Sequence, residues 1–153
     1  MKHFFRLLTI VIIIVLTANN NTTAQVYKTG IGLRLGGSNG LTIKHFMTGS
    51  NAIEGIFSIH YSGFEIVGLY EIHNELKIPD ANIKDLSWYY GGGAHVGANA
   101  THTRAGIDAV IGVEYPFKEV PLTLGFDIKP YLDILNNTGR FFDTAFSVRY
   151  YFK

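Results

Sequence analysis

From residue 28 to the C-terminus, apolar and polar side chains alternate almost without interruption. The last segment shows it best, with one face made of Phe142, Thr144, Phe146, Val148, Tyr150 and Phe152. The opposite face is made of Asp143, Ala145, Ser147, Arg149 and Tyr151. Successive side chains of a β-strand point to opposite sides of a sheet, whereas an amphipathic helix repeats about every 3.6 residues. The alternation therefore predicts an all-β protein.

Turn-forming residues divide this region into eight segments. The predicted strands are residues 28–37, 40–47, 52–61, 64–74, 86–98, 106–117, 122–134 and 142–152. Their lengths are close to the roughly 9–11 residues with which a tilted strand crosses a bilayer. An even number of such strands predicts a closed, antiparallel, up-and-down transmembrane β-barrel. Because proline cannot donate a ladder hydrogen bond, we expect a bulge or a strand end at Pro130.

The first 24 residues differ from the rest and predict a cleavable signal peptide. Lys2, His3 and Arg6 precede an apolar run at 7–16, which is interrupted only by a threonine. Ten apolar residues are too few for a transmembrane helix, which needs about 20. Small residues at 22 and 24 favour cleavage before Gln25. We therefore expect residues 25–153 to form the single domain of an exported protein.

Charge and cysteine content narrow the function further. Removal of residues 1–24 takes away Lys2 and Arg6, and leaves 11 basic and 12 acidic side chains. This balance argues against a nucleic-acid partner, which normally requires a basic face. The chain has no cysteine, so neither disulfides nor a lipid anchor on cysteine is available to it. A closed, hydrogen-bonded barrel would supply the cohesion that small exported domains often take from disulfides.

The direction of the alternation separates a membrane barrel from a soluble one. A membrane barrel turns its aliphatic side chains towards lipid and its charges into the lumen, and a soluble barrel does the reverse. Aromatic residues at segment ends predict an interfacial girdle. They are Trp88, Tyr90, Tyr115, Phe117, Tyr150 and Phe152. The polar set is also rich in glycine, as expected of a crowded lumen, so the membrane orientation is favoured.

The chain resembles the small eight-stranded outer-membrane β-barrels of Gram-negative bacteria. The resemblance rests on the segments GIGLRLG at 30–36, WYYGGGAH at 88–95 and SVRYYF at 147–152, and it covers nearly all of 28–153. The penultimate Phe152 resembles the C-terminal assembly signal of such proteins. The resemblance implies a location in the cell outer membrane, contact with lipid and lipopolysaccharide, and recognition of the last strand by barrel-assembly machinery. It implies no activity, because many members have no assigned function.

The inward set of the predicted barrel is charged. An eight-stranded barrel is only just wide enough to hold side chains, so charges within it must pair. We expect an ion-paired network that plugs the lumen, formed by Arg34, Lys44, Glu54, Glu71, Glu114, Asp127, Lys129 and Arg149. If Lys44 is buried there, its loss should destabilise the barrel. Such a plug favours a structural, membrane-stabilising, monomeric protein without catalysis or cofactor.

Several alternatives remain open. His60, Glu65, His95 and Asp108 supply two imidazoles and two carboxylates that could ligate a metal ion, if the strand register brings them together. Ser58 beside His60 is the nearest approach to an activated nucleophile, as a lipid-modifying outer-membrane enzyme would need. A narrow pore for small solutes is a third alternative. A secreted, soluble, ligand-binding barrel is a fourth, and it would enclose Leu33 and Phe126 while exposing Arg34, Asp127 and Lys129.

Overall fold

The computed structural model describes residues 27–60, 63–78, 85–135 and 142–152. The predicted signal peptide, residues 1–24, lies outside these ranges. Among the described residues there is no helix long and apolar enough to cross a membrane. The described parts of the chain form strands joined by turns and loops.

The described residues contain nine strands. They are β1 (Thr29–Gly36), β2 (Gly40–Phe46), β3 (Asn51–His60), β4 (Gly63–Glu75), β5 (Ser87–Asn99), β6 (Thr103–Pro116), β7 (Leu122–Lys129), β8 (Tyr131–Asp133) and β9 (Asp143–Phe152). The predicted boundaries agree to within about three residues, which is the usual precision of such an assignment. The largest difference is the start of β6, which places Arg104 in a strand rather than in the predicted connector.

The strands close into an antiparallel barrel. Each strand from β1 to β6 pairs with its successor in the chain, and β6 then pairs with both β7 and β8. β7 pairs with β9, and β9 pairs with β1 along its length, from Thr29 opposite Phe152 to Gly36 opposite Ala145. Because β7 and β8 form one stave, the barrel has eight staves and the predicted closed fold is confirmed. We call the end at Thr29 and Phe152 the lower end, and the end at Gly36 and Gly40 the upper end.

Pro130 separates β7 from β8 without shifting the register. Ile111 lies opposite Ile128 before the proline, and Asp108 lies opposite Tyr131 after it, which is the same alignment. The carbonyl oxygen of Pro130 accepts a hydrogen bond from the amide of Ala109 at 2.9 Å. The predicted strand end is therefore present, but the alternative of a bulge is wrong. The ring removes only one donor from the ladder, and side chains keep alternating past it.

The two faces of the barrel are inverted relative to a soluble protein. Within the described strands, every Asp, Glu, Lys and Arg lies in the register that points to the lumen, and only Glu75, at the end of β4, is well exposed. Arg34 is 1% exposed, whereas Leu33 and Leu35 on either side of it are 56% and 59% exposed. This is the burial that the membrane orientation requires, and it is the reverse of the burial that the soluble alternative requires.

The lumen is not polar throughout, and part of it is filled by apolar side chains that the predicted charge network does not include. On the walls formed by β3 to β6 it holds a buried apolar cluster of Ile56, Val67, Leu69, Tyr89 and Val110. Apolar side chains can fill this half without the partners that buried charges need. Gly112 makes room for Tyr89, since a Cβ at this position would lie 2.6 Å from Tyr89 Cζ. The cluster and the charged groups together fill the space between the walls.

A methyl group at Gly112 should therefore disturb the barrel. We expect Gly112→Ala to lower the free energy of unfolding by about 1–3 kcal/mol, because the new Cβ overpacks Tyr89 and the carbonyl oxygen of Phe126. Gly68→Ala is the matched control, because a Cβ on this outward glycine has no other atom within 4 Å. Urea titration, followed through the fluorescence of the single tryptophan, Trp88, measures both variants. Equal stability of the two would contradict the packing described for Tyr89.

Candidate functional site

Lys44 stands at the centre of the lower half of the lumen. Its Nζ lies 2.7 Å from Glu71 Oε2, 3.2 Å from Glu54 Oε2 and 3.4 Å from Glu114 Oε2. It also lies 4.0 Å from the centre of the Tyr89 ring, which adds a cation–π contact. These partners come from β3, β4, β5 and β6, so one ammonium group joins β2 to four other strands. We call this group, together with Arg149, the lower cluster.

Arg149 reaches into the lumen from β9, which is separated from β2 by β1 alone. Its Nη2 donates to Glu54 Oε1 at 2.5 Å, and its Nη1 donates to Glu114 Oε2 at 3.0 Å. Its Nε donates to Thr42 Oγ1 at 3.2 Å. Guanidinium–carboxylate hydrogen bonds are charge-assisted and directional. Arg149 therefore ties the last strand to β2, β3 and β6 at a fixed height in the barrel.

His73 and Tyr27 complete the lower cluster. His73 Nε2 lies 2.9 Å from Glu71 Oε2, and its ring stacks on Tyr89 with centroids 4.7 Å apart. The hydroxyl of Tyr27, just before β1, donates to Glu114 Oε1 at 2.7 Å. Tyr27 also packs against Phe46 and Tyr151, so the lower end is closed by an aromatic layer beneath the charges.

A second group, the upper cluster, surrounds Arg34. Its guanidinium forms a bidentate pair with Asp127, with Nη1–Oδ2 and Nη2–Oδ1 distances of 2.5 and 2.7 Å. Lys129 Nζ lies 2.9 Å from Asp108 Oδ1 and 3.8 Å from Asp143 Oδ2. Asp143 also accepts a hydrogen bond from the hydroxyl of Ser38 in the β1–β2 turn. This cluster connects β1, β6, β7 and β9.

Tyr89 connects the two clusters, and Arg104 lies at the upper mouth. The Tyr89 hydroxyl donates to Asp127 Oδ2 at 3.4 Å while its ring contacts Lys44. Arg104 Nε lies 3.1 Å from Asp133 Oδ2, and its Nη1 lies 3.6 Å from Glu65 Oε2. Polar contacts thus extend from the lower aromatic layer to the upper mouth, and join walls that are not neighbours in the sheet.

The structure places all eight predicted network residues in the lumen, each of them buried. They are Arg34, Lys44, Glu54, Glu71, Glu114, Asp127, Lys129 and Arg149. Seven of them form ion pairs within this set, as the expected network implies. Lys129 instead pairs with Asp108 and Asp143, and Asp127 accepts from Arg34.

The three candidate metal ligands whose side chains the structure describes, Glu65, His95 and Asp108, do not form a ligand set. His95 Nδ1 lies 2.8 Å from Asp108 Oδ2, but Asp108 is also paired with Lys129, and Glu65 faces Arg104 instead. The side chain of His60 lies outside the described part of the structure. Among the described residues, no three His, Cys, Asp or Glu side chains are grouped as a metal site requires. The candidate nucleophile Ser58 is buried in the lumen, away from the outer surface.

Sequence reasoning missed several members of the network. Asp143 appeared only as an inward position, and Tyr27, Arg104 and Asp133 were not assigned to the lumen. Extending the alternation by one residue before β1 would have placed Tyr27 inside. Tyr89 lies on the inward register between Trp88 and Tyr90, and three consecutive aromatic residues give no contrast that would have singled it out.

The six predicted girdle residues all lie on the outer surface near the lower end. Trp88 and Tyr90 stack on β5, with ring centroids 5.4 Å apart. The pairs Tyr115–Phe117 and Tyr150–Phe152 are packed edge to face, 5.1 and 5.2 Å apart. The aromatic side chains thus form three contacting pairs, on β5, at the end of β6 and on β9. At the same end, β1 to β3 carry the polar residues Thr29, His45 and Asn51 in the outward register instead.

The fold and the lumen define a closed, eight-staved antiparallel β-barrel with an ion-paired interior and an apolar exterior. Comparison of the chain with protein-family models, with curated proteins and with solved structures gives no match.

Removal of the central ammonium should be strongly destabilising. We expect Lys44→Ala to lower the free energy of unfolding by about 3–5 kcal/mol, because it leaves three buried carboxylates without this partner. Lys77→Ala is the control, because the Lys77 side chain is 76% exposed and its ion pair with Glu75, at 3.6 Å, is open to solvent. Loss of such a surface ion pair should change the free energy of unfolding by no more than about 0.5 kcal/mol. Urea titration measures both. A Lys44→Ala loss as small as that of the control would mean that water reaches Lys44 and that the lumen is open.

Proposed function

We propose that this protein is an integral β-barrel of the outer membrane of a Gram-negative bacterium. In this proposal it is a monomeric, structural component that stabilises the membrane and has no catalytic activity. The single observation that carries the proposal is the inversion of the barrel. The described strands have no Asp, Glu, Lys or Arg in the outward register, and they leave many Ile, Leu, Val and Phe side chains well exposed.

A bilayer is the environment in which this outer surface is stable. Soluble monomers rarely expose a continuous apolar patch larger than a few hundred Å². Here the apolar surface surrounds the barrel, because outward Leu33, Leu41, Ile66, Val96 and Phe146 lie on five different strands and are all well exposed. A single protein partner covers one side of a molecule, whereas lipid covers every side. Closure of the sheet also leaves no unpaired edge facing the hydrocarbon, as a membrane requires.

The filled lumen supports a structural role over a pore. Large side chains fill the lumen and are fully buried there, among them the ion-paired Lys44 and Arg149 and their neighbours Tyr89 and Ile56. Conduction would require breaking these contacts and hydrating the charges. The buried position of Ser58 and its distance from the lipid-facing surface likewise disfavour a lipid-modifying enzyme. The exposed Phe152, at the end of the strand that closes the barrel, fits the proposed recognition by barrel-assembly machinery.

Fractionation and gel mobility test this proposal. We expect the expressed protein in the outer-membrane fraction, and we expect it to migrate faster on a gel when unboiled than when boiled. A closed membrane barrel stays folded in detergent until it is heated, which accounts for this shift. A soluble periplasmic or extracellular protein with no mobility shift would contradict the proposal.

The same purified protein distinguishes a plug from a pore. In planar bilayers we expect no steady conductance from the wild-type barrel, because the ion pairs fill its lumen. Regular ohmic steps would contradict the closed lumen while leaving the membrane location intact. Mass spectrometry of lipid A from cells with and without the protein should show the same acyl pattern.

A further inference from the structure

The height of the apolar outer surface changes around the barrel. On β6 the outward residues are apolar from Ala105 to Tyr115, a run that corresponds to about 33 Å along the strand. On β1 they are apolar only from Ile31 to Leu35, or about 13 Å. With strands tilted by about 40°, these lengths project to about 25 Å and 10 Å along the barrel axis. The apolar surface on β1 is therefore less than half as tall as that on β6.

Polar groups and turns bound the short face on both sides. Below it, Thr29 Oγ1 and the outward His45 Nδ1 of β2 lie 2.8 Å apart and satisfy each other. Above it, the β1–β2 turn begins at Gly37, and Asn39 Oδ1 accepts a hydrogen bond from the amide of Gly36. β2 contributes only Leu41 and Ile43 between these limits. We call the outward surface of β1 and β2 between these limits the short face.

A rigid tilt of the barrel cannot remove this difference. Tilting raises or lowers both edges of the short face together, and so leaves its height near 10 Å. The hydrocarbon core of a typical bilayer is about 30 Å thick. A flat bilayer matched to β6 would therefore place the turn at Gly37 at hydrocarbon depth, whereas the Thr29–His45 pair would lie near its lower boundary, level with Tyr115.

We propose that bilayer lipid covers the short face by thinning locally against β1 and β2. This inference rests on the proposed membrane location. A segment shorter than the hydrocarbon thickness is accommodated by thinning of the bilayer or by association with another protein. A second copy of the chain fits less well, because the short face offers five apolar side chains, whereas a stable interface takes about 20–30 residues from each partner.

Nitroxide labels at two equivalent heights test the proposal. Leu35 lies six residues above Thr29 at the lower end of β1, and Ala109 lies six residues above Tyr115 at the lower end of β6. Both side chains point outward. The chain has no cysteine, so Leu35→Cys and Ala109→Cys can each be labelled at a single position. Leu41→Cys on β2 is a second reporter of the short face.

The measurement is label depth in dioleoylphosphatidylcholine vesicles, from collision rates with oxygen and with a water-soluble nickel complex. Thinning predicts that the labels at Leu35 and Leu41 are shallow, about 8 Å closer to water than the label at Ala109. In dilauroylphosphatidylcholine, whose core is thinner, the depths should converge. Equal depths in the thicker bilayer would overturn the proposal, as would spin–spin broadening at Leu35, which would indicate a second copy.

The unboiled gel band of each labelled protein distinguishes a failure of the thinning proposal from a failure of the proposed membrane location. A heat-modifiable band together with equal label depths would contradict thinning alone. Absence of a folded, heat-modifiable species from vesicles of either lipid would contradict the membrane barrel itself.

Discussion

The structure depends on the pairing of buried charges across a lumen too narrow for water to replace them. Lys44 and Arg149 approach from β2 and β9 and share Glu54 and Glu114 between them. Lys44 and Glu54 lie opposite each other on the paired strands β2 and β3. The contacts of Glu114 with Lys44 and Arg149, and of Arg149 with Glu54, join strands that have no backbone hydrogen bonds to one another. A shift of one residue in any of these strands would turn its charge towards the outer surface. The ion pairs thus fix the register, and the closed ladder of hydrogen bonds holds the charges in place.

The outer surface follows from the same constraint. With every charge of the described strands in the inward register, the outward register is left mainly to Ile, Leu, Val, Phe, Gly and Ala, with polar residues near both ends and most of the Trp and Tyr residues near the lower end. Such a surface is costly in water and stable in hydrocarbon. The local structure supports this division, because inward glycines such as Gly112 leave space for Tyr89 where two large residues would collide. Stability without cysteine is then explained by closure, ion pairing and the expected lipid environment.

Much of this architecture could be predicted from the sequence, because a period of two is a strong signal when it persists over the whole chain. The alternation placed Arg34, Asp127 and Arg149 on the inward side, and the turns gave the number of staves. The alternation could not predict which charged side chains pair with each other. Asp108 faces Lys129 and His95 because of the stagger between β5, β6 and β7, which depends on contacts distant in sequence. The apolar cluster around Tyr89 was missed because an aromatic run such as residues 88–90 gives no contrast between the two faces.

The most direct test of the central claim is a charge placed on the outer surface. Ile111 points outward, is 53% exposed and lies near the middle of β6, several residues from either end of the strand. In lipid vesicles, Ile111→Lys should lower the free energy of unfolding by about 2–4 kcal/mol, because the new ammonium would lie in hydrocarbon. A soluble protein would tolerate a lysine at such an exposed position. An unchanged or increased stability of Ile111→Lys would contradict the assignment of this surface to lipid, and with it the membrane barrel.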